Sequence, residues 1–370
     1  MKSSLFMLIK PASGHCNMNC CYCFYTDEMK YQGHSKKNMM TKSTLALVLE
    51  KGLQVVTGSF TIIFQGGEPT LIGLEFYHQV IELVKKHNVN QCQVHYSIQT
   101  NGLLIDDTWC VFFKQHNFLV GISLDGYQEL HDKYRKDANG KGTFEQVIAS
   151  IDLLKKYQVQ YNTLTVVHRE TALNVNRVYN FFKKHQITYQ QYIECLEPFG
   201  EIPGAQEYSL TPELYQRFLI KIFNKWHADM LRGTYVYNRY FENLLIMLKG
   251  NPPEGCAMQG WCTHQIIVES DGSVYPCDFY AMDNWLLGNL TEDSIPNIDR
   301  KREELGFIEM SKYTPDDCKN CRWFLLCRNG CRRSCEPVDM RTRQKNYYCK
   351  AYKGFFEYAY PKMIEILHKC

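Results

Sequence analysis

Hydrophobic and polar positions follow two different periods between residues 4 and 196. Short apolar runs, such as those that begin at Leu5, Phe60 and Phe118, have the length and the flanking turn residues of buried strands. Longer segments between them carry an apolar residue every three or four positions, which predicts amphipathic helices. The order of strand and then helix repeats about six times, which predicts a parallel sheet with crossover helices.

The predicted elements alternate along this region, and a cluster of Pro and Gly at 198–204 predicts a linker after them. The strands are predicted at Leu5–Lys10, Phe60–Gln65, Cys92–Gln99, Phe118–Leu124, Gln160–Val167 and Ile187–Glu194. The helices are predicted at 41–56, 74–87, 106–115, 144–157, 175–185, 212–232 and 239–249. Thr41 is the expected N-cap of the first of these helices.

The turns that follow the predicted strands carry small and polar residues. They include Gly66–Pro69 (Gly-Gly-Glu-Pro) after the second strand, Thr100–Gly102 after the third, and Ser123 with Asp125 at the fourth. Ligand sites of parallel α/β folds lie at the carboxyl ends of the strands. These turns are therefore expected to converge on one face, although none of them is diagnostic alone.

Three cysteines with the spacing C-x3-C-x2-C lie in the loop after the first predicted strand: Cys16, Cys20 and Cys23. Iron–sulfur clusters are held by Cys thiolates, so three local ligands leave one iron of a four-iron cluster open. An open position separates a reactive metal site from a closed structural one. The loop predicts a cluster that binds a small molecule, with a zinc knuckle or buried thiols as the alternative. Cys21 interrupts the spacing and is assigned no role.

Composition narrows the class of protein. The chain has 370 residues, 17 cysteines and a formal net charge of +3, which is too small to indicate a nucleic-acid or membrane partner. The apolar run near the N-terminus is too short for a signal peptide, and no run has the length of a membrane helix. A cytoplasmic location is expected, where many cysteines argue for metal ligation rather than disulfides.

Ten of the cysteines lie from Cys256 onward. Eight of them follow the spacings C-x5-C-x14-C and then C-x2-C-x5-C-x3-C-x17-C: Cys256, Cys262, Cys277, Cys318, Cys321, Cys327, Cys331 and Cys349. Eight thiolates suffice for two four-ligand clusters. One or two zinc ribbons are the alternative, because C-x2-C pairs suit zinc equally well. Cys335 and Cys370 have no place in this scheme.

The cysteine loop, the aromatic residue before its third cysteine and the Gly-Gly-Glu-Pro turn together resemble the radical S-adenosylmethionine (radical SAM) superfamily. The resemblance implies an α/β fold, a partial (β/α)6 TIM-type barrel, with a [4Fe–4S] cluster on Cys16, Cys20 and Cys23 and SAM on the fourth iron. It also implies the contacts of SAM: Gly66, Gly67 and Glu68 at the amino group, Tyr22 and Leu196 at the adenine, and Ser123 and Arg135 near the carboxylate and ribose. Without the resemblance, Arg135 would be interpreted as a solvated loop charge.

The C-terminal cysteine pattern is similar to the SPASM extension of radical SAM enzymes. This implies two auxiliary [4Fe–4S] clusters, one on Cys256, Cys262, Cys277 and Cys331 and one on Cys318, Cys321, Cys327 and Cys349. With the N-terminal cluster the total is three. The implied domains are a barrel core at 1–200, a helical linker region at 201–250, a SPASM domain at 251–350 and a C-terminal helix at 351–370.

Within the SPASM group, the stretches 64–71, 268–280 and 346–349 resemble the anaerobic sulfatase-maturating enzymes. This resemblance implies that a Cys or Ser in a C/S-x-P-x-R segment of a sulfatase is oxidised to Cα-formylglycine. A 5′-deoxyadenosyl radical would take a hydrogen atom from Cβ, Asp278 would be the general base, and the auxiliary clusters would take the second electron. Reduced flavodoxin or ferredoxin is the expected electron donor.

Two other functions stay open from the sequence. One is a SPASM enzyme that forms thioether or other crosslinks in a ribosomal peptide, and the other is a zinc-bound scaffold for protein interactions. Three residues near the predicted site also have two interpretations. Tyr25 and Gln65 are candidates either to face the substrate or to lie in the core, and His15 is expected to be a loop residue rather than a ligand.

Overall fold

The computed structural model describes residues 1–32, 38–340 and 342–369. The strands within these ranges are β1 (Lys2–Ile9), β2 (Val56–Phe64), β3 (Gln93–Thr100), β4 (Leu119–Ser123), β5 (Tyr161–Val167), β6 (Tyr189–Glu194), β7 (Tyr237–Asn238), β8 (Ile266–Val268), β9 (Ser273–Tyr275) and β10 (Gly288–Asn289). The helices are α1 (Phe24–Glu28), α2 (Lys42–Val55), α3 (Leu74–His87), α4 (Asp107–Gln115), α5 (Gln128–Tyr134), α6 (Phe144–Lys156), α7 (Arg169–Leu173), α8 (Val175–Lys184), α9 (Pro212–Leu231), α10 (Arg239–Leu248), α11 (Ile295–Leu305), α12 (Phe307–Lys312), α13 (Asp316–Lys319), α14 (Phe324–Cys327) and α15 (Cys349–Lys369).

The predicted alternation of strands and helices is present, and the ends of the elements differ from the predicted ones by at most four residues. Thr41 caps α2 as predicted, since its side-chain oxygen accepts a hydrogen bond from the Thr44 amide at 3.1 Å. The sequence pattern does not predict the short helices α1, α5, α7 and α12 to α14, the 11-residue helix α11, or the short strands β7 to β10. Apart from α11, these elements are too brief to show a hydrophobic period.

The chain forms two compact units, the first of which comprises residues 1–123, 135–161 and 264–305. Its strands lie in the order β10-β9-β8-β1-β2-β3-β4. The strands β1 to β4 pair in parallel, and β8 pairs in parallel with β1 on the other side, with Ile9 opposite Val268. The late segment that contains β8 is therefore part of the same sheet as the first strand.

Apolar side chains of β1, β8 and β9 pack together in this unit. Leu8, Ile267, Tyr275 and Ala281 form a buried cluster beside the end of β1. This packing fixes the loop that follows β9 relative to the end of β1, because burial of apolar surface is the main favourable term in folding.

The second unit comprises residues 124–134, 162–263 and 306–370. Strands β5, β6 and β7 pair in parallel here, and α9 packs along α15. Large buried side chains on these helices, among them Phe218, Trp226 and Phe355, form the core of the unit. The residues predicted as a C-terminal helix belong to α15, which begins at Cys349, and Cys370 lies outside the described residues.

Each unit draws on segments from both halves of the sequence. The predicted linear division at residues 200, 250 and 350 stays a prediction. None of the described helices is both long enough and apolar enough to cross a membrane.

Candidate active site

A lysine and three carboxylates meet at the ends of β1 and β8. Lys10 directly follows β1, and its amide donates a hydrogen bond to the carbonyl oxygen of Val268 at 2.8 Å. Its ammonium lies 3.0 Å from Oδ1 of Asp278, 3.3 Å from Oε1 of Glu269 and 3.4 Å from Oε2 of Glu28. All four residues are buried. We refer to Lys10, Glu28, Glu269 and Asp278 as the buried charge cluster.

The second oxygen of the Asp278 carboxylate is held by two hydrogen bonds. The Tyr25 hydroxyl donates to Oδ2 at 2.7 Å, and Nε2 of Gln65 donates to the same oxygen at 2.9 Å. Nε2 of Gln65 also lies 2.8 Å from the Tyr25 hydroxyl oxygen. Tyr25 and Gln65, whose roles the sequence left open, therefore contact the predicted base and fix the plane of its carboxylate.

Burial and charge set the protonation of this cluster. Burial by itself lowers the pKa of Lys10, but Asp278, Glu28 and Glu269 outweigh this effect and raise that pKa well above its usual value. Burial raises the pKa of Glu28 to about 8, and the Lys10 charge opposes that rise. Lys10 is therefore an ammonium and Glu28 is mostly protonated near neutral pH, which reduces the negative charge buried around Lys10.

The raised pKa of Glu28 predicts a pH-dependent stability. The folded state binds a proton at Glu28 between its ordinary pKa, about 4.5, and its folded pKa, about 8, whereas the unfolded state has lost it. Stability from this group is therefore complete at low pH and is lost as the pH rises through 8, with a slope of at most about 1.4 kcal/mol per pH unit. Glu28→Gln mimics the protonated acid, so its melting temperature should match wild type near pH 5 and exceed it near pH 8.5. A constant difference between the two melting curves across this range would contradict the assignment.

The Gly-Gly-Glu-Pro turn packs against the backbone that leads into Cys16. The amide of Gly67 donates to the Ser13 carbonyl at 2.6 Å, and the amide of Glu68 donates to the His15 carbonyl at 2.7 Å. A Cβ on Gly67 would lie 2.1 Å from the His15 oxygen, so only glycine permits this approach. A backbone amide donates and cannot accept from an amino group, so the predicted contact of the turn with an amino group falls to its carbonyl oxygens.

The turn after β3 joins the same region through Glu68. This buried carboxylate accepts hydrogen bonds from the Thr100 hydroxyl and from the Asn101 amide, each at 2.7 Å. The Asn101 side chain in turn donates to Oδ1 of Asn17 at 2.7 Å and lies 3.7 Å from Sγ of Cys16. The turns after β2 and β3 therefore converge on the cysteine loop, as the strand-end rule predicts.

Three other residues are predicted to contact SAM: Arg135, Ser123 and Leu196. Arg135 is buried, at 8% exposure, with its guanidinium 5.5 Å from the centre of the Tyr22 ring, so the interpretation of Arg135 as a solvated charge is wrong. Ser123 accepts a hydrogen bond from Nε2 of Gln99 at 3.3 Å. Leu196 belongs to the second unit and follows β6, and its contact with the adenine stays a prediction.

The predicted ligands of the N-terminal loop differ in exposure, since the Cys16 residue is exposed to solvent whereas the other two are partly covered. Desolvation by the surrounding atoms still raises the pKa of the Cys16 thiol to about 11, and the neighbouring Cys23 adds to the rise. A bound metal centre would keep such a thiol in its thiolate form, because metal binding releases the proton of the ligand. Cys20 and Cys23 are half-buried, and Cys21 is exposed. These residues fit the predicted cluster.

Four cysteines of the second unit interact with one another. Burial raises the pKa of Cys327 to about 12, and the nearby thiols of Cys349, Cys318 and Cys321 raise it further. This group is the one predicted to hold the second auxiliary cluster. Its chemistry, four thiols in a partly buried site, fits an iron–sulfur cluster.

Three further cysteines of the second unit also lie together. Burial raises the pKa of Cys331, and the thiols of Cys262 and Cys256 add to the rise. They are three of the four ligands predicted for the first auxiliary cluster, and the fourth, Cys277, belongs to the first unit. Cys335 is a buried thiol that donates to the carbonyls of Asn329 and Cys331 at 3.1 and 3.2 Å, which is a structural role.

Within residues 1–32, 38–340 and 342–369, no three His, Cys, Asp or Glu side chains converge as the ligands of one metal ion. A tetrahedral zinc site requires such convergence. In a four-iron cluster each thiolate binds a different iron, so the thiols lie around the cluster rather than at one point. The assignment of the cysteines to clusters stays a prediction.

Comparison with known proteins places this geometry in a family. Residues 11–182 match the radical SAM superfamily, and residues 256–322 match SPASM, an iron–sulfur cluster-binding domain. The cysteine-type anaerobic sulfatase-maturating enzyme of Clostridium novyi (strain NT) is 45% identical over 354 residues, which are 96% of this chain and 95% of that protein. The serine-type enzyme of Bacteroides thetaiotaomicron is 30% identical over 97% of this chain and 90% of that protein.

A solved structure of native anSMEcpe with bound AdoMet and Cp18Cys peptide has 43% sequence identity and a TM-score of 0.93, over 99% of each chain. This likeness confirms the predicted fold, a partial α/β barrel with a SPASM region. Together with the identity over nearly the whole sequence, it shows that the chain belongs to the anaerobic sulfatase-maturating enzymes of the radical SAM superfamily.

Proposed function

We propose that this enzyme oxidises a cysteine of a sulfatase segment to Cα-formylglycine and that Asp278 is the general base of the reaction. The observation that carries the proposal is the Asp278 carboxylate, which is buried and held by Lys10, Tyr25 and Gln65. It directly follows Cys277, a predicted cluster ligand. A general base must be held in a fixed position, with its accepting oxygen within hydrogen-bond reach of the substrate proton.

The cysteines named above would hold the cofactors. Cys16, Cys20 and Cys23 would bind one [4Fe–4S] cluster with SAM, and the eight C-terminal cysteines would bind two auxiliary clusters. When bound, these groups would supply the acceptor for a hydrogen atom from the substrate Cβ and the outlet for a second electron. The turn at Gly66–Glu68, with the ring of Tyr22 beneath the Arg135 guanidinium, would orient SAM.

Asp278 would receive the proton of the substrate thiol. With that proton on a carboxylate oxygen, the sulfur electron pair forms a double bond to Cβ as the second electron leaves. Water then hydrolyses the thioaldehyde to the aldehyde and releases hydrogen sulfide. Tyr25 and Gln65 hold the carboxylate in one orientation, and Lys10 places a positive charge 3.0 Å from its other oxygen. Such preorganisation avoids rearrangement during the reaction.

The likeness to the relatives favours cysteine over serine as the target. Identity to the cysteine-type enzyme of Clostridium novyi is 45%, whereas identity to the serine-type enzyme of Bacteroides thetaiotaomicron is 30%. The proposed partner is an unfolded or nascent sulfatase segment of the C-x-P-x-R type. Reduced flavodoxin or ferredoxin is the proposed electron donor.

A pair of peptides tests the function. Reduced, cluster-loaded enzyme and SAM are incubated with a C-x-P-x-R peptide or with its serine variant, and mass spectrometry follows the aldehyde. We expect aldehyde from the cysteine peptide at a higher rate than from the serine peptide. Cleavage of SAM without aldehyde from either peptide would overturn the proposal and favour the crosslinking alternative.

A further inference from the structure

The second unit carries a cleft of about 440 Å³ with apolar and basic walls. We refer to Trp261, Lys312, Phe324, Leu325 and Arg328, which line it, as the apolar–basic cleft. Leu325 is 78% exposed and Trp261 is 48% exposed. Contiguous exposed apolar side chains with polar groups at their rim are a feature of interaction sites, whereas single exposed apolar residues are ordinary surface.

The walls of the cleft are the segments that carry predicted ligands of both auxiliary clusters. Trp261 directly precedes Cys262, and Arg328 directly follows Cys327. Consecutive Cα atoms are about 3.8 Å apart, so each wall residue is a direct neighbour of a predicted ligand. The other apolar residues of the cleft belong to α14, which ends at Cys327. A protein seated on the cleft would therefore contact the cluster-binding segments.

The walls are fixed before any partner binds. A Cβ on Gly260 would lie 2.6 Å from Cβ of Arg328 and 2.8 Å from its carbonyl oxygen, so the two segments are in close contact. The buried Arg343 guanidinium donates to the carbonyls of Gly260, Ser311 and Gly330, each at 2.6 Å. A preformed surface binds with a smaller loss of conformational entropy.

The charged residues that line the cleft indicate which kind of protein surface it would bind. Among the residues that the structure describes, its lining contains two cations, Lys312 and Arg328, and no carboxylate. Lys312 contacts Glu309 at 2.8 Å, but both side chains are more than half exposed and such a pair is weak. An acidic surface therefore complements the cleft. Electron-transfer partners in particular associate through small interfaces.

We propose that the apolar–basic cleft is the docking surface for an acidic one-electron carrier protein of the flavodoxin or ferredoxin class. The inference rests on the proposed function, because redox clusters beside the cleft are the reason for a carrier to dock there. Oxidation of the cysteine Cβ releases two electrons, and one of them leaves with the hydrogen atom. The other reduces one oxidised carrier by one electron, while the thiol proton goes to Asp278.

Binding of a purified acidic flavodoxin to the cluster-loaded enzyme tests the proposal. We expect a dissociation constant that rises between low salt and about 0.5 M salt, because charges across a small interface are screened. Leu325→Glu should weaken binding about tenfold or more at low salt, since it places a carboxylate at the centre of the apolar contact. Val89→Glu is the matched control, because Val89 is an exposed residue in the turn after α3 and the change of charge is the same. Its dissociation constant should stay within twofold of wild type.

Three results would overturn the docking proposal: equal binding by Leu325→Glu and wild type, equal weakening by both variants, or binding that does not respond to salt. A change in self-association of the enzyme with Leu325→Glu, without a change in flavodoxin binding, would assign the cleft to a second copy of the chain instead. Formylglycine formation by wild type with dithionite as reductant is measured separately. Its absence would refute the proposed function, whereas its presence without flavodoxin binding would refute only the docking surface.

Discussion

Asp278→Asn is expected to lower the rate of formylglycine formation by about 100-fold or more, because general acid–base catalysis contributes on the order of 10² to 10⁴ in rate. Asparagine keeps the size of the side chain and an oxygen that accepts from Tyr25 and Gln65, but it cannot take up the thiol proton. SAM cleavage should continue, since the residues predicted to hold SAM are unchanged. Rates of 5′-deoxyadenosine and aldehyde formation, measured in the same samples, give the comparison.

Asp283→Asn is the matched control for this variant. Asp283 is an exposed aspartate five residues further along the same segment, and its replacement should leave both rates near those of wild type. If Asp278→Asn formed the aldehyde at the wild-type rate, Asp278 would not be the base. If it lost SAM cleavage as well, the carboxylate would serve the SAM site rather than the proton transfer.

Lys10→Met is expected to reduce the free energy of unfolding by about 3–5 kcal/mol, the cost of removing one partner from a buried ion pair. The change leaves the carboxyl groups of Glu28, Glu269 and Asp278 buried without the ammonium that contacts all three. Formylglycine formation should fall as well, because Asp278 loses one of the groups that hold it. Denaturant unfolding under anaerobic conditions and the peptide assay measure the two effects.

Two further variants separate charge from packing at this position. Lys10→Met with Glu269→Gln removes one of the carboxylates that Lys10 contacts together with the ammonium, so it should recover part of the lost stability. Lys30→Met removes an exposed lysine that contacts Asp27 at 3.3 Å, and its effect on unfolding should be small. If Lys10→Met were as mild as Lys30→Met, the buried charge cluster would not contribute to stability.

Much of the fold follows from local patterns in the sequence. The helix at 74–87 and its neighbours show a clear period of apolar residues, and their observed ends lie close to the predicted ones. The short strand β8 contains only three residues, which are too few to show a hydrophobic period. Its pairing with β1 joins positions more than 250 residues apart. That pairing depends on tertiary packing, which the sequence pattern does not show.

The candidate site shows the same contrast between features that local sequence patterns predict and features that depend on tertiary packing. Spacing and resemblance predict the cysteine loop and Asp278, whereas neither assigns Lys10, Glu28 or Glu269 to the site. The sequence pattern places Lys10 only at the end of the first predicted strand, although a charged residue at the end of a predicted buried strand is a signal under the strand-end rule. Glu28 offers no such signal, because it lies on the short helix α1 and reaches the cluster only through folding.

A cysteine peptide with deuterium on Cβ tests the central claim most directly. Wild type and Asp278→Asn are each supplied with SAM and reductant, and deuterium in 5′-deoxyadenosine is compared with the amount of aldehyde peptide. Both enzymes should transfer deuterium to the nucleoside, but only wild type should convert the peptide to aldehyde in proportion. Aldehyde formed by Asp278→Asn in step with the labelled nucleoside would contradict the assignment of Asp278 as the base.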